Sequence, residues 1–188
     1  MSATKTRFPR REAVAVAREL CGLLKPACER LIVAGSLRRR KADVGDIEIL
    51  YIPRTEVRQL DLISSGPVCL ANEAISAMLD FGLITKRPSV TGSTSWGISN
   101  RLALHRSGIP VDFFAASLAN WHNYLVCRTG SAASNIRIAT AAQNMGYRWQ
   151  PYGTGFIHLE TGKIFPMESE KAVFDFVQLP YAEPWERC

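Results

Sequence analysis

The chain has 188 residues, of which 47% are hydrophobic, and it carries a formal net charge of +6. This composition is that of a globular protein with a sizeable core, and it excludes low-complexity and repeat architectures. The sequence contains no apolar run of about 18 residues and no signal peptide, so we expect neither a membrane span nor secretion.

The first predicted element is a helix that begins near Pro9, a residue suited to a helix start. Apolar residues recur at helical spacing as far as Pro26, where we expect the helix to have ended. A basic cluster at residues 5–11 accompanies the helix start. The predicted core face of the helix consists of Ala13, Val16, Ala17, Leu20 and Leu24.

The segment 35–51 combines a potential anion site with a pair of carboxylates. It follows a strand-like apolar run at 31–34 and begins with Gly35-Ser36 and the basic residues 38–41. A Gly-Ser turn can direct N–H groups and a hydroxyl at an anion, and arginine forks match phosphate oxygens. In the strand that follows, Asp46 and Glu48 share one face, where they repel each other unless a divalent cation compensates them. The segment therefore predicts a nucleoside triphosphate held with its metal.

The middle of the chain predicts scaffold elements and one further candidate carboxylate. A turn is expected at 64–67, a helix at 71–81, a strand at 83–88 and a polar loop at 89–99. Ser107-Gly108 separates two strand-like runs, which predicts a β-hairpin that contains Asp112. Pro110 favours an edge or the start of a strand. If this hairpin pairs with the strand of Asp46, three carboxylates converge on one face.

The C-terminal part changes to a helical pattern. We expect helices at 117–128, with Ser117 as N-cap and Leu118 in the apolar stripe, and at 132–145. A strand at 157–159, a turn at 160–163 and a helix at 169–178 follow, the last capped by Ser169. The predicted core residues of this last helix are Val173, Phe174 and Val177.

These motifs resemble those of the family X DNA polymerases, which belong to the polymerase beta-like nucleotidyltransferase superfamily. The resemblance covers nearly the whole chain and is that of a polymerase reduced to palm and thumb. It implies an α+β fold, with a nucleotidyltransferase palm at 1–118, whose mixed sheet has helices packed on one face, and a small α/β thumb at 119–188. The motifs that carry it are Gly35-Ser36-Leu37-Arg38-Arg39, Gly45-Asp46-Ile47-Glu48, the strand around Asp112, Thr129-Gly130-Ser131 and the segment 168–187.

The resemblance also implies an activity: a DNA-directed DNA polymerase that adds deoxynucleotides to a primer 3′-hydroxyl, usually to fill gaps in DNA repair. Asp46, Glu48 and Asp112 would carry catalysis and hold two Mg²⁺ ions, with Mn²⁺ as a substitute. Expected partners are primer-template or gapped DNA and deoxynucleoside triphosphates, with no membrane, and the protein is expected to be a monomer. The implied nucleotide-binding residues are Arg7, Gly35, Ser36, Arg39, Gly45, Thr129, Gly130 and Asn135.

The sequence departs from the family pattern at three places. Cys127-Arg128 stands where the family usually has Tyr-Phe, which leaves ribose discrimination open. Ala139 replaces an arginine that reaches the template strand, and Arg137 is the candidate DNA-binding substitute. Glu48 replaces the more usual aspartate, which the wider superfamily accepts.

Other functions stay open at this point. The chain could be an untemplated or RNA-directed nucleotidyltransferase, a non-catalytic nucleic-acid-binding module, or a domain that needs a partner to grip DNA. Basic residues spread along the sequence favour a lined cleft for a polyanion. The five cysteines form no disulfide framework, which favours a reducing intracellular compartment, either cytoplasm or nucleus; a virus-encoded protein is also open. The cysteines and the three histidines lack metal-ligand spacing, which argues against a zinc site.

Overall fold

The computed structural model describes residues 6–59, 61, 63–89 and 92–187. Short 3₁₀ turns lie at Lys25–Ala27 and Pro184–Glu186. In this part of the chain, no helix combines the length and the apolar character needed to cross a membrane. The strands β1 to β12 are Phe8–Pro9, Cys28–Val33, Asp43–Val44, Ile47–Pro53, Thr55–Gln59, Ser65–Cys69, Ile84–Lys86, Asn100–His105, Pro110–Ala115, Tyr147–Trp149, Gly155–His158 and Ile164–Pro166. The helices α1 to α6 are Arg10–Leu24, Gly35–Arg38, Leu70–Asp80, Trp121–Thr129, Ala132–Asn144 and Glu170–Phe176.

The chain divides into two compact units. The first comprises the described residues up to Val33 together with Asp43–Ala115, and the second comprises Ala34–Ala42 together with the described residues from Ala116 onward. The short segment 34–42, which contains α2, therefore groups with the C-terminal part of the chain. The assignment of 1–118 as palm and 119–188 as thumb stays a prediction.

The first unit is built on a mixed sheet with the strand order β2-β4-β9-β8-β7. β4 and β9 run parallel, whereas the other neighbouring strands are antiparallel. β8 and β9 form the predicted hairpin, in which Gly108 adopts a φ of 84° that glycine tolerates. Pro110 opens β9, a position where a strand accepts proline. Together with the helices, this sheet confirms the predicted α+β fold class.

Helices α1 and α3 pack against each other and against this sheet. Two contacts show which face they cover: Nε2 of His105 lies 3.3 Å from a carboxylate oxygen of Glu19 on α1, and Arg101 donates to Asn72 on α3 at 2.7 Å. Because side chains alternate along a strand, the neighbouring positions of β8 face the opposite side of the sheet. The buried residues of α1 are the predicted Ala13, Val16, Ala17, Leu20 and Leu24.

The second unit packs its helices with an antiparallel sheet of strand order β10-β11-β12. Its core contains the stacked rings of Phe156 and Phe176, whose centroids lie 4.4 Å apart. Ser169 caps α6 as predicted, since its hydroxyl accepts a hydrogen bond from the N–H of Ala172 at 3.0 Å. The apolar residues predicted for this helix, Val173, Phe174 and Val177, are all buried.

The start of α4 differs from the prediction. The helix begins at Trp121 instead of Ser117, and Leu118 is 62% exposed instead of lying in the core. The Asn120 side chain accepts hydrogen bonds from the N–H of Ser117 at 2.7 Å and from its hydroxyl at 3.1 Å. These local bonds stabilise a turn before the helix, because asparagine competes well for nearby backbone donors.

The turn predicted at 64–67 also differs, because residues 65–67 lie within β6. This strand pairs antiparallel with β5, with Pro67 opposite Val57. Within the described residues, β6 pairs only with β5, so Pro67 occupies an edge strand that tolerates a missing N–H. Gly and Pro signals alone could not separate this hairpin from a turn.

We predict that Asn123→Ala destabilises the protein by about 3 kcal/mol, because it leaves several buried polar groups unsatisfied. The fully buried Asn123 amide donates to the carbonyls of Gln150 at 2.6 Å and Gly153 at 2.8 Å, and it accepts from the Trp149 indole at 2.6 Å. Chemical denaturation would measure the loss. Asn120→Ala, which removes only exposed bonds, those to Ser117 and to the Tyr152 carbonyl, should cost about 1 kcal/mol. Equal losses for the two variants would contradict this account.

Candidate functional site

Two of the predicted carboxylates lie side by side on the two central strands of the first unit. In the parallel pairing of β4 with β9, Glu48 is directly opposite Asp112. Asp112 is in turn opposite Leu102 of β8, so both acids lie on the face away from α1 and α3. Asp46 comes one residue before β4 and is half-buried. The structure therefore brings Glu48 and Asp112 to one sheet face, with Asp46 just ahead of the strand.

Arg87 extends this row across the sheet, and the sequence analysis gave it no role. Its N–H donates to the carbonyl of Leu102 at 2.9 Å, which continues the β7–β8 register by one residue. Its guanidinium lies 2.5 Å from a carboxylate oxygen of Asp112, and both side chains are mostly buried. The row formed by Leu102, Asp112 and Glu48 thus crosses three strands, and Arg87 extends it directly after the end of β7. The sequence feature that could have pointed to Arg87 is a Lys-Arg pair at the end of the predicted strand that precedes the hairpin.

The donor chemistry of this face suits a hard divalent cation. Asp46, Glu48 and Asp112 offer only carboxylate oxygens, which are the ligands that Mg²⁺ and Mn²⁺ prefer. Among the described residues, however, no group of three His, Cys, Asp or Glu side chains has a metal-binding arrangement. The residue types fit such an ion, and the metal site stays a prediction.

The pairing of β1 with β3 brings the backbone of Arg7 close to the segment that precedes Asp46. Phe8 and Pro9 of β1 pair with Val44 and Asp43 of β3. Because the pairing is antiparallel, Arg7 precedes β1 on the side where Gly45 follows β3. Arg7 is exposed, and Gly45 is buried. The predicted contact of Arg7 with the triphosphate stays a prediction.

The predicted anion cradle lies in the second unit. Gly35 begins α2 with a φ of 61°, and Ser36 follows in the same turn. The Ser36 hydroxyl and the Nε of Arg39 are buried and have no hydrogen-bond partner within the described part of the chain. Arg39 also donates to the carbonyls of Thr129 at 2.7 Å and Gly130 at 3.1 Å. Buried polar atoms without partners suit an anion that accepts from both, since such atoms are otherwise satisfied.

Thr129, Gly130 and Asn135 form one packed junction between α4 and α5. Thr129 is fully buried, and its hydroxyl accepts a bond from Arg38 at 2.6 Å. The Asn135 amide donates to the carbonyl of Cys127 at 2.9 Å. A side chain at Gly130 would place its Cβ 2.4 Å from Oδ1 of Asn135, so a larger residue there would require the Asn135 side chain to shift. The junction has a structural role, and the predicted nucleotide contacts stay predictions.

Arg137, the predicted DNA contact, is exposed on α5. It borders a pocket of about 190 Å³ whose other walls come from Ile138 and from the C-terminal segment at Leu179 and Tyr181. Its exposure is compatible with a phosphate contact, which stays a prediction.

A buried ion-pair network that the sequence analysis missed links α2 to the C-terminal segment. Arg38 contacts both carboxylate oxygens of Glu170, at 2.6 and 2.9 Å, and Arg187 contacts one of them at 2.7 Å. Burial alone would raise the pKa of Glu170, but the hydrogen bonds and charges of Arg38 and Arg187 hold it below its ordinary value. Arg187 is buried against the rings of Phe174 and Tyr181. No local pattern could reveal this network, because its members are far apart in sequence.

Comparison with known protein families gives a match for the C-terminal part of the chain. Residues 124–188 match the family model described as DNA polymerase beta thumb. No curated protein gives a significant match. The matched region begins within α4 and includes the junction, the β10–β12 sheet, α6 and the segment that carries Arg187. The chain therefore contains a fragment like that of a family X polymerase, which indicates a DNA-binding function related to these polymerases.

We predict that Glu170→Gln lowers stability at neutral pH by about 3 kcal/mol, because two buried guanidinium groups lose their counter-charge. The folded-state pKa of Glu170 is depressed, so its stabilisation is present above the unfolded pKa and is lost as pH falls through the folded pKa. The stability difference between wild type and variant should therefore shrink below about pH 4. Chemical denaturation across the acid range would measure it.

The matched control is Asp175→Asn on the same helix. Asp175 pairs with Lys171 at 2.6 Å, but both side chains are exposed. This variant should change stability by about 0.5 kcal/mol or less, with little dependence on the buried network. A difference between wild type and Glu170→Gln that stays constant from neutral to acid pH would contradict the role of the Glu170 charge.

Proposed function

We propose that this chain is a DNA polymerase of the family X type that adds deoxynucleotides to a primer 3′-hydroxyl, acting in gap filling during DNA repair. The observation that carries the proposal is the placement of Glu48 opposite Asp112 on one sheet face, in a chain that also contains a polymerase beta thumb-like segment. The division into a palm at 1–118 and a thumb at 119–188 is part of this proposal.

In this proposal the carboxylates have separate tasks. Asp46, Glu48 and Asp112 would hold two Mg²⁺ or Mn²⁺ ions, which when bound supply charge neutralisation for the triphosphate and activation of the primer hydroxyl. Asp112 is the group that accepts the hydroxyl proton, and its carboxylate is oriented by Arg87. Glu48 is one methylene longer than aspartate, so it reaches further from the backbone than the usual family residue.

The basic and polar residues position the substrates. Arg7, Ser36 and Arg39 would bind the triphosphate, where the buried Ser36 hydroxyl and Arg39 Nε gain an acceptor. Gly35 and Gly45 keep the chain free of side chains at these two turns. Thr129, Gly130 and Asn135 would contact the sugar and base of the incoming nucleotide, and Arg137 would contact the DNA strand.

We predict that Asp112→Ala abolishes nucleotide incorporation, with a rate loss of roughly 10³-fold or more, because it removes a proton acceptor and a metal ligand together. Single-turnover incorporation on DNA with a one-nucleotide gap would measure the rate. The control is Asp80→Ala, which removes an exposed carboxylate at the end of α3 and should leave the rate unchanged. A folded Asp112→Ala protein that incorporates nucleotides at the wild-type rate would refute the assignment.

The same assay identifies the polymerase type. Gapped, open-template and single-stranded DNA would be compared, each with deoxynucleotides and with ribonucleotides. The proposal expects incorporation that follows the template and is fastest on the gap. Equal rates on single-stranded DNA would assign the chain to the untemplated transferases, and faster incorporation on an RNA template would assign it to the RNA-directed ones.

A further inference from the structure

The loop 150–153 of the second unit holds one aromatic side chain rigidly at the surface. The carbonyls of Gln150 and Gly153 both accept from the buried Asn123, and the carbonyl of Tyr152 accepts from Asn120 at 2.9 Å. The N–H of Gly153 closes the turn on the carbonyl of Gln150 at 2.9 Å. The backbone of this loop is therefore fixed to the first turn of α4, although Tyr152 itself is 58% exposed.

A guanidinium group lies under the exposed ring. The Cζ atom of Arg128 is 5.0 Å from the ring centroid of Tyr152 and 5.3 Å from that of Tyr124. The two tyrosine rings meet edge to face with centroids 5.4 Å apart. Arg128 is thus held between a buried and an exposed aromatic ring, which is favourable through cation–π attraction. Beside it, Trp149, Gln150, Pro151, Tyr152 and Gly153 line an open depression of about 470 Å³.

An exposed tyrosine alone needs no explanation, since single apolar residues at a surface are common. Here the ring is fixed by its backbone, supported by a planar cation and placed at the edge of a depression. A fixed aromatic face next to an arginine is the arrangement that stacks an unpaired base and attracts its phosphate. Bases within a duplex are already stacked on both faces, so such a surface favours single-stranded nucleic acid.

We propose that Tyr152 and Arg128 form a stacking platform that binds an unpaired base of single-stranded DNA. The choice of DNA rests on the proposed function and on the thumb-like match, which includes Arg128 and Tyr152. The platform holds single-stranded DNA by base stacking on Tyr152, with Arg128 as the cation that supports the ring.

The test measures the affinity of the full chain for fluorescein-labelled oligothymidylate of about 12 nucleotides by fluorescence anisotropy. Two further probes have the same length: an oligomer of abasic sites, which keeps the phosphates without bases, and a duplex. Wild-type protein should bind oligothymidylate more tightly than the abasic oligomer. Tyr152→Ala should weaken oligothymidylate binding about tenfold and leave the abasic and duplex affinities unchanged.

Three variants complete the design. Tyr152→Phe keeps the ring and should bind like wild type, whereas Arg128→Lys keeps the charge but loses the planar group and should weaken oligothymidylate binding selectively. Leu159→Ala is the matched surface control, because Leu159 is 57% exposed in the same unit, and it should have no effect. Wild-type affinity of Tyr152→Ala for oligothymidylate, or an equal loss on all three probes, would overturn the platform. Tighter binding of the matching RNA oligomer would overturn its assignment to DNA.

The binding test of the platform and the incorporation assay of the proposed polymerase can fail independently. Binding uses no nucleotide and no metal, so it can be measured on the Asp112→Ala protein as well as on wild type. Active wild-type protein with an unaffected Tyr152→Ala variant overturns the platform alone. Inactive wild-type protein that still shows Tyr152-dependent binding overturns the polymerase proposal and supports the platform.

Discussion

The organisation of the second unit depends on one carboxylate buried between two arginines. Arg38 and Glu170 are separated by 132 positions in the sequence, and Arg187 adds the second cation near the C-terminal end. Removing three charges from water costs several kcal/mol for each ion, so the arrangement is tolerated only when the hydrogen bonds are nearly complete. The planar guanidinium of Arg38 meets both oxygens of Glu170, which a lysine could not do. This network explains why the segment 34–42 groups with the C-terminal part of the chain.

A consequence is that two motifs adjacent in sequence belong to different compact units. Gly35 and Ser36 lie in the second unit, whereas Asp46 and Glu48 lie in the first. Each unit pairs a mostly buried acid with arginine from a distant part of the chain, through Glu170 in one and through the contact of Arg87 with Asp112 in the other. In the second unit, Arg38 and Arg187 stabilise the charged form of Glu170, since an isolated buried carboxylate would be costly.

The features that were predicted correctly from the sequence are those determined by interactions between residues close together in the chain. The core face of α1 follows from helical spacing, and the β8–β9 hairpin follows from a turn whose glycine takes a positive φ. The hairpin signal left the pairing of its strand with that of Asp46 as a condition, and the family resemblance supplied the expectation that the carboxylates lie together. The start of α4 was missed because Asn120 competes for the backbone of Ser117, and β5–β6 was missed because both strands lie at an exposed edge. The role of Glu170 could not be found, since its partners are set by tertiary structure alone.

The net charge does not predict which basic residues are available on the surface for DNA, because some of the arginines are buried. The spread of basic residues was interpreted as the lining of a cleft, yet Arg101 is buried and bonds to Tyr51 and Asn72, and Arg106 pairs with Glu19. A buried arginine such as Arg101 bonds to acceptors inside the protein, so it contributes little to counterion release on DNA binding. In the proposed function, the affinity for DNA would come from exposed cations such as Arg7 and Arg137, supplemented by contacts to bases. A thumb-like unit that also stacks bases on an aromatic side chain would gain affinity that does not depend on neutralising phosphates.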